Sequence, residues 1–140
     1  MRAFRLVAVA LASVALLVAC GPNSASLSGK TWQLTSVTVT GTGSVMPPGV
    51  HSVADQLRYT ITFNDDGTFN AVADCNNVGG SYTTSGNSIT ITPGPSTLVA
   101  CGADSYGDAF VAALGQATTY AVGKNVLTLT LSGGGSLTFG

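Results

Sequence analysis

The chain predicts a mainly β fold of the α+β kind, after a cleaved signal peptide. We expect a small antiparallel barrel or strongly curved sheet of about eight short strands with one helix. Three observations lead there. Apolar residues alternate with Thr, Ser and Asn through most of the sequence beyond residue 30, the two-residue period of a strand with one buried face. Thr and Val are common while glutamate is absent, which favours strand over helix. A single stretch, around residues 104–118, has helical spacing instead.

The amino terminus reads as an export signal. Arg2 and Arg5 precede an apolar run from Leu6 to Ala19, which ends in Leu17-Val18-Ala19-Cys20 and then Gly21. This resembles a bacterial lipobox, which implies cleavage before Cys20 and lipid on that cysteine. A membrane-spanning helix fits less well: it needs about 20 apolar residues, and the run supplies 14 before a Gly-Pro linker with no basic residue. The chain thus divides into a signal peptide (1–19), a lipidated tether (20–28) and one β domain (29–140). Gly21 to Ser28 reaches at most about 28 Å when extended, so the domain is held close to its membrane.

Once the signal is removed, Lys30, Arg58 and Lys124 face six aspartates, a net charge of −3. So few cations cannot neutralise a row of phosphates, which argues against a nucleic-acid partner. Attraction to anionic headgroups is equally weak. Membrane attachment must come from acyl chains on Cys20, at about 0.8 kcal/mol per buried methylene. Cys75 and Cys101 form an even pair in an exported chain, where a disulfide is the expected state. Two free buried thiols, or a metal or catalytic pair, are the alternatives. Zinc would need four ligands, and the chain has one histidine, His51.

The strands follow in order. The first begins near Thr31, with Trp32 and Leu34 inward; Val37 and Val39 then take the opposite parity, which signals a bulge or a sheet corner. Gly41 to His51, with Pro47-Pro48-Gly49, reads as a long loop, and His51 as a solvated loop histidine. Tyr59, Ile61 and Phe63 alternate into the turn Asn64-Asp65-Asp66-Gly67, and Phe69, Ala71 and Ala73 return. A short strand at Ser81-Tyr82-Thr83 and another at Ser88 to Thr92 flank Ser85-Gly86-Asn87, with Pro93-Gly94-Pro95 as the stop.

The helix has Ser105 and Asp108 placed like a capping box, with Asp104 as a competing cap. Its apolar face is Tyr106, Phe110, Ala113, Leu114 and Ala117, and it should end near Thr118. Tyr120 and Val122 pair with Val126 to Leu131 about Gly123-Lys124-Asn125, and Gly133-Gly134-Gly135 turns the chain into Leu137 and Phe139.

Several of these segments together resemble the META domain of HslJ-like lipoproteins. They are Leu27-x-Gly29-x-x-Trp32-x-Leu34; Ile61-x-Phe63 with Asp66-Gly67-x-Phe69; Cys75-Asn76 with Gly80-x-Tyr82; Thr97 through Ala100-Cys101; Phe110-x-x-x-Leu114; and Leu127-x-Leu129. The resemblance spans residues 27 to 139. It implies a mostly β fold and an envelope-anchored location, and no established enzyme activity. Where the family follows its Asn with a basic or polar residue, this chain has Asn76-Asn77-Val78, which leaves no basic side chain there.

Chemistry is sparse. A Ser–His–Asp arrangement would have to use His51, and no Gly-x-Ser-x-Gly is present. Asp65-Asp66 lies on a hairpin tip and lacks the spacing of a calcium loop. Gly133-Gly134-Gly135 precedes neither a lysine nor a helix, so it is a turn and not a phosphate cradle. No catalytic residue, metal or cofactor is expected. The candidate recognition loop is Asp74, Asn76 and Asn77, with Tyr82; the favoured reading of the Asp74–Asn77 cluster is a turn whose side chains satisfy backbone groups where a strand ends. Among the aromatics, Trp32 is expected in the core, while Tyr59, Tyr82 and Tyr106 are candidates for a ligand rim.

The function expected from the sequence is that of a non-enzymatic envelope lipoprotein on the extracytoplasmic side. It would bind a protein partner or support the envelope under stress; the alternative is a binder of small apolar molecules at a barrel mouth. The two readings differ in an observable. A ligand binder needs an apolar cavity of about 300 Å³ or more, whereas a partner-binding module needs an exposed apolar patch.

Overall fold

The computed structural model describes residues 26–41 and 48–140. Cys20 and the lipobox lie outside the described residues, as does most of the Pro/Gly loop. The elements are β1 (Thr31–Val39), β2 (Gly49–Ser52), a 3-10 turn (Gln56–Arg58), β3 (Tyr59–Phe63), β4 (Thr68–Ala73), β5 (Asn76–Ser85), β6 (Ser88–Ser96), α1 (Gly107–Gly115), β7 (Ala117–Val122), β8 (Leu127–Leu131) and β9 (Ser136–Phe139). All nine strands join one antiparallel sheet in the order β2-β1-β3-β4-β5-β6-β7-β8-β9. An additional β1–β9 pairing closes the sheet on itself. The ring proper has eight strands; β2 continues the β3 edge of β1, pairing with Ser36–Val39 beyond the Thr31–Gln33 stretch that β3 takes.

The parity change in β1 has the expected cause. The β1–β9 register slips between Leu34 and Ser36, so Trp32 and Leu34 face the interior on one parity and Val37 and Val39 on the other. None of the nine strands contains Lys, Arg, Asp or Glu; among the described residues these side chains occur only in turns and at the helix start. The interior is filled by Trp32, Ile61, Phe63, Phe69, Leu114, Leu127, Leu129, Leu137 and Phe139, all essentially solvent-free. Trp32 is therefore a core residue, and its indole Nε1 donates to the Leu27 carbonyl at 2.8 Å. That bond and Gly29 N–H to the Phe63 carbonyl, 3.2 Å, fasten the start of the domain beside the β3–β4 turn.

Four boundaries differ from the sequence expectation. Residues 49–52 are a strand, because β1 outruns β3 and leaves an edge that a short segment can pair. His51 accordingly sits half-buried on β2 opposite Val37, not in a solvated loop. β5 starts at Asn76 and not near Ser81, since Asp74-Cys75 alone turns the chain; Asp74 has φ +62°, a region that Asp tolerates better than most residues.

β6 runs through Pro93-Gly94-Pro95 to Ser96. Among the described residues its only register pair with β7 is Ser88–Thr119, so the downstream part is an edge where a missing N–H breaks no ladder. The helix begins at Gly107 and ends at Gly115, short of Thr118. Its N-cap is Tyr106, without a side-chain cap bond, although Ser105 Oγ accepts from Gly107 N–H at 3.2 Å. Gly107 comes so close to β4 that a Cβ would stand 2.8 Å from the Ala73 carbonyl, which brings the helix start forward to the first residue able to dock there. Phe110 and Leu114 form its buried stripe; Tyr106 is about half exposed and Ala117 belongs to β7.

Candidate functional site

The strands run between two ends of the barrel. One end carries the chain entry at Leu27–Gly29 and the hairpin Asn64–Gly67. At the other lie the ends of β1, β4 and β8, the Asp74-Cys75 turn, the 97–106 segment and the start of α1. Among the described residues this second end is not packed shut. A cavity of about 780 Å³ opens there, lined from β1 by Leu34, Val37 and Val39, from the segment after β2 by Val53 and Ala54, and from β3 by Tyr59. Ala109, Phe110, Ala112 and Ala113 line it from the helix, and Leu131 and Leu137 from β8 and β9.

The helix explains the space. Phe110 points into the core, in edge contact with Tyr59 (ring centroids 5.6 Å apart) and near Phe139 (6.3 Å). Beside Phe110 the helix lines the cavity with the small side chains of Ala109, Ala112 and Ala113, which fill little of it. The volume falls in the range of about 300–1,000 Å³ that holds drug-sized ligands.

Polar groups sit around this apolar wall. His51, Asp55, Arg58, Asp104 and Gln116 belong to it. Arg58 organises one side: Nε donates to Asp74 Oδ1 at 2.7 Å and Nη1 to Asp104 Oδ2 at 3.4 Å, while the Arg58 carbonyl accepts from Asp74 N–H at 2.6 Å. The Arg58 guanidinium foremost, and the Ser105 hydroxyl after it, hold the Asp74 carboxyl below the ordinary aspartate range against a smaller opposing effect of burial. The pair raises the arginine in turn, mainly through Asp74. Asp74 Oδ2 is buried, and among the described residues no donor stands in good hydrogen-bond geometry to it. Tyr59 Oη accepts from Tyr106 N–H at 3.1 Å, which ties the helix start to the cavity floor.

The asparagines of the candidate recognition loop satisfy backbone groups, the other role the sequence left open to them. Asn76 Nδ2 donates to the Val99 carbonyl at 2.9 Å, and its Oδ1 accepts from Val99 N–H at 2.8 Å and Thr97 Oγ1 at 2.9 Å. The Asn77 backbone exchanges bonds of 3.0 Å with Thr97. Both asparagines thus fasten the 97–101 segment, and Cys75 and Cys101 bridge the same two stretches with Cα atoms 5.7 Å apart. Tyr82 lies near the opposite end, packed edge-on against Phe63 at 4.8 Å and donating to the Asn64 carbonyl at 2.7 Å. Burial raises its phenol pKa. The structure therefore brings Asp74, Asn76 and Asn77 together and separates Tyr82 from them. Of the tyrosines considered for a rim, Tyr59 and Tyr106 line the cavity. Val37, Val53, Arg58, Asp104 and the alanines of α1 are not marked as cavity residues by the sequence; three alanines within residues 109–113 were the one available signal.

Among the described residues no three His, Cys, Asp or Glu side chains cluster as metal ligands would. No described helix is long and apolar enough to cross a membrane. The family model for the META domain matches residues 25–140. The chain belongs to the META domain family. A protein from Burkholderia xenovorans, solved by NMR, shares the fold with a TM-score of 0.64 at 22% identity, over 81% of each chain. A DUF4847 family protein from Bacteroides vulgatus has a TM-score of 0.54 at 19% identity, covering 78% of this chain and 89% of its own. No curated protein matches.

Several residues that carry the META resemblance have structural work in this barrel. Trp32 binds the Leu27 carbonyl, Asn76 fastens Val99, Cys75 meets Cys101, and Phe69 covers Gly80.

Proposed function

We propose that this META-domain chain is an envelope lipoprotein, anchored through acyl chains on Cys20 on the extracytoplasmic side, which acts by binding and not by catalysis. Its ligand is a small apolar molecule held at the open end of the barrel. One observation carries this reading: a cavity of about 780 Å³ walled by Leu34, Val37, Val53, Phe110 and Leu137. Exposed apolar surface of that extent is costly to leave against water. The anchor rests on the lipobox and on the scarcity of cations.

Two measurements test the reading. Purified protein should carry or take up an apolar molecule detectable by mass spectrometry, and Ala112→Trp, which fills the cavity, should abolish uptake. Uptake unchanged by that substitution refutes the site. Cys20→Ser should release the protein from the membrane fraction, and retention there refutes the anchor.

A protein partner is a second reading, favoured by Leu98 and Val99. These side chains are 94% and 58% exposed on the segment that the disulfide holds. Crosslinking in intact cells should then capture a partner that Leu98→Asp loses.

A further inference from the structure

The cavity's place in the barrel and its charge together narrow its ligand. We propose that it takes an uncharged or cationic apolar molecule arriving through the aqueous phase, and not a phospholipid or fatty acid from the bilayer that anchors the chain. This rests on the lipoprotein and ligand-binding reading above.

Geometry supplies the first argument. The chain enters the barrel at Leu27–Gly29, pinned to Trp32 and Phe63. The cavity is lined by the far end of β1, Val37 to Val39. At about 3.3 Å per residue, Thr31 to Val39 spans about 26 Å. The tether from Cys20 to Leu27 has seven steps, about 25 Å when drawn straight. A mouth turned onto the anchoring bilayer would require that whole stretch pulled taut along the barrel wall, at the full entropic cost of ordering it. A relaxed tether leaves the entry end toward the membrane and the mouth toward the aqueous phase.

Charge supplies the second argument. The cavity lining holds Asp55 and Asp104 against Arg58, one negative charge in excess. Arg58 is the only Lys or Arg in that lining, and it is already engaged by Asp74 at 2.7 Å and Asp104 at 3.4 Å. A carboxylate or phosphate head would meet two or three aspartates and displace one of them to reach the guanidinium. An alcohol or ammonium head meets no such repulsion.

Two experiments test the proposal. In the first, decanol, decylammonium and decanoate compete with the neutral dye Nile red for the mature chain carrying Cys20→Ser. Decanol and decylammonium should displace the dye at concentrations about tenfold lower than decanoate. Asp104→Asn should narrow that gap by freeing Arg58. Decanoate as effective as decanol overturns the proposal while leaving the ligand-binding reading intact. Failure of Nile red and all three competitors to bind removes both.

In the second, the lipidated chain in phosphatidylcholine vesicles carries a fluorophore at Leu57, beside the mouth, or at Lys124, in the β7–β8 turn. Energy transfer to an acceptor at the vesicle surface should place Leu57 farther away by roughly the barrel length, about 25 Å. A 20-residue Gly/Ser insert after Ser24 should reduce the difference. Leu57 as close as Lys124 in the parent chain overturns the orientation, and loss of both signals with the protein in the supernatant refutes the anchor itself.

Discussion

Replacing both bridge cysteines, Cys75→Ser with Cys101→Ser, separates what the disulfide does to the folded chain from what it does to the unfolded one. The bridge joins residues 26 apart in sequence. Closing a loop of that size removes unfolded-chain entropy equivalent to about 3.5 kcal/mol at 25 °C. A domain of roughly 115 residues gains about 0.24 kcal/mol/K of entropy on melting, so the variant should melt about 15 °C lower. Its native state should persist at 20 °C. The 97–101 segment remains fastened by the Asn76 side-chain bonds to Thr97 and Val99 and by the two Asn77–Thr97 bonds, none of which involves sulfur. Thermal melts by far-UV circular dichroism give the shift, and near-UV spectra at 20 °C report the packing of Trp32 and the tyrosines. A fall below about 4 °C would refute the entropic reasoning. A lost near-UV signal at 20 °C would show instead that the bridge, and not Asn76, holds the segment.

Four further outcomes are expected. Asn76→Ala should cost about 1–2 kcal/mol in the parent, and more in the double-serine chain, because the two fasteners act on one segment; a double-mutant cycle of denaturant melts checks the coupling. Gly80→Ala should destabilise by about 2–3 kcal/mol or prevent folding, since its Cβ would collide with the Thr92 carbonyl and the Phe69 ring; unchanged urea midpoints contradict this. Trp32→Phe should cost about 1–3 kcal/mol by leaving the half-buried Leu27 carbonyl without its indole donor, again read from urea melts. Asp74 has a lowered folded pKa, so its contribution is complete above its unfolded value near 3.9 and is lost as pH falls through the lower folded value. The parent should therefore lose stability below about pH 4, and Asp74→Asn should flatten that part of the profile; equal acid sensitivity in both chains refutes the assignment.

The sequence was most legible where one period governed one element. Ile61-x-Phe63, Phe69 to Ala73 and Leu127 to Leu131 alternate, and each is a strand with that face buried. It was least legible where pairing overrode local composition. Pro93-Gly94-Pro95 reads as a stop, yet β6 continues because its far edge pairs with no strand there. Gly49–Ser52 reads as loop, yet it is strand because β1 extends past β3. The parity slip at Leu34–Ser36 was readable, since a bulge leaves its mark on hydrophobic alternation. The cavity left almost none, because a void is recorded only as smallness: Ala109, Ala112 and Ala113 are ordinary helix formers until the wall facing them is known.

That difference bears on what the META resemblance can say about action. Trp32, Gly80, Asn76 and the two cysteines close the barrel and pin its loops, and each has a partner that accounts for it. The cavity draws much of its wall from residues outside those motifs: Val37, Val53, Arg58, Asp104 and the alanines of α1. Phe110 belongs to both sets, with its ring against Tyr59 and Phe139 and its side at the cavity. On the ligand-binding reading proposed above, a chain that kept the motifs and changed the wall would keep the fold and alter the ligand. On that same proposed reading, the choice of ligand is to be sought at the mouth, in the size of residues 109, 112 and 113 and in the Asp74–Arg58–Asp104 charges.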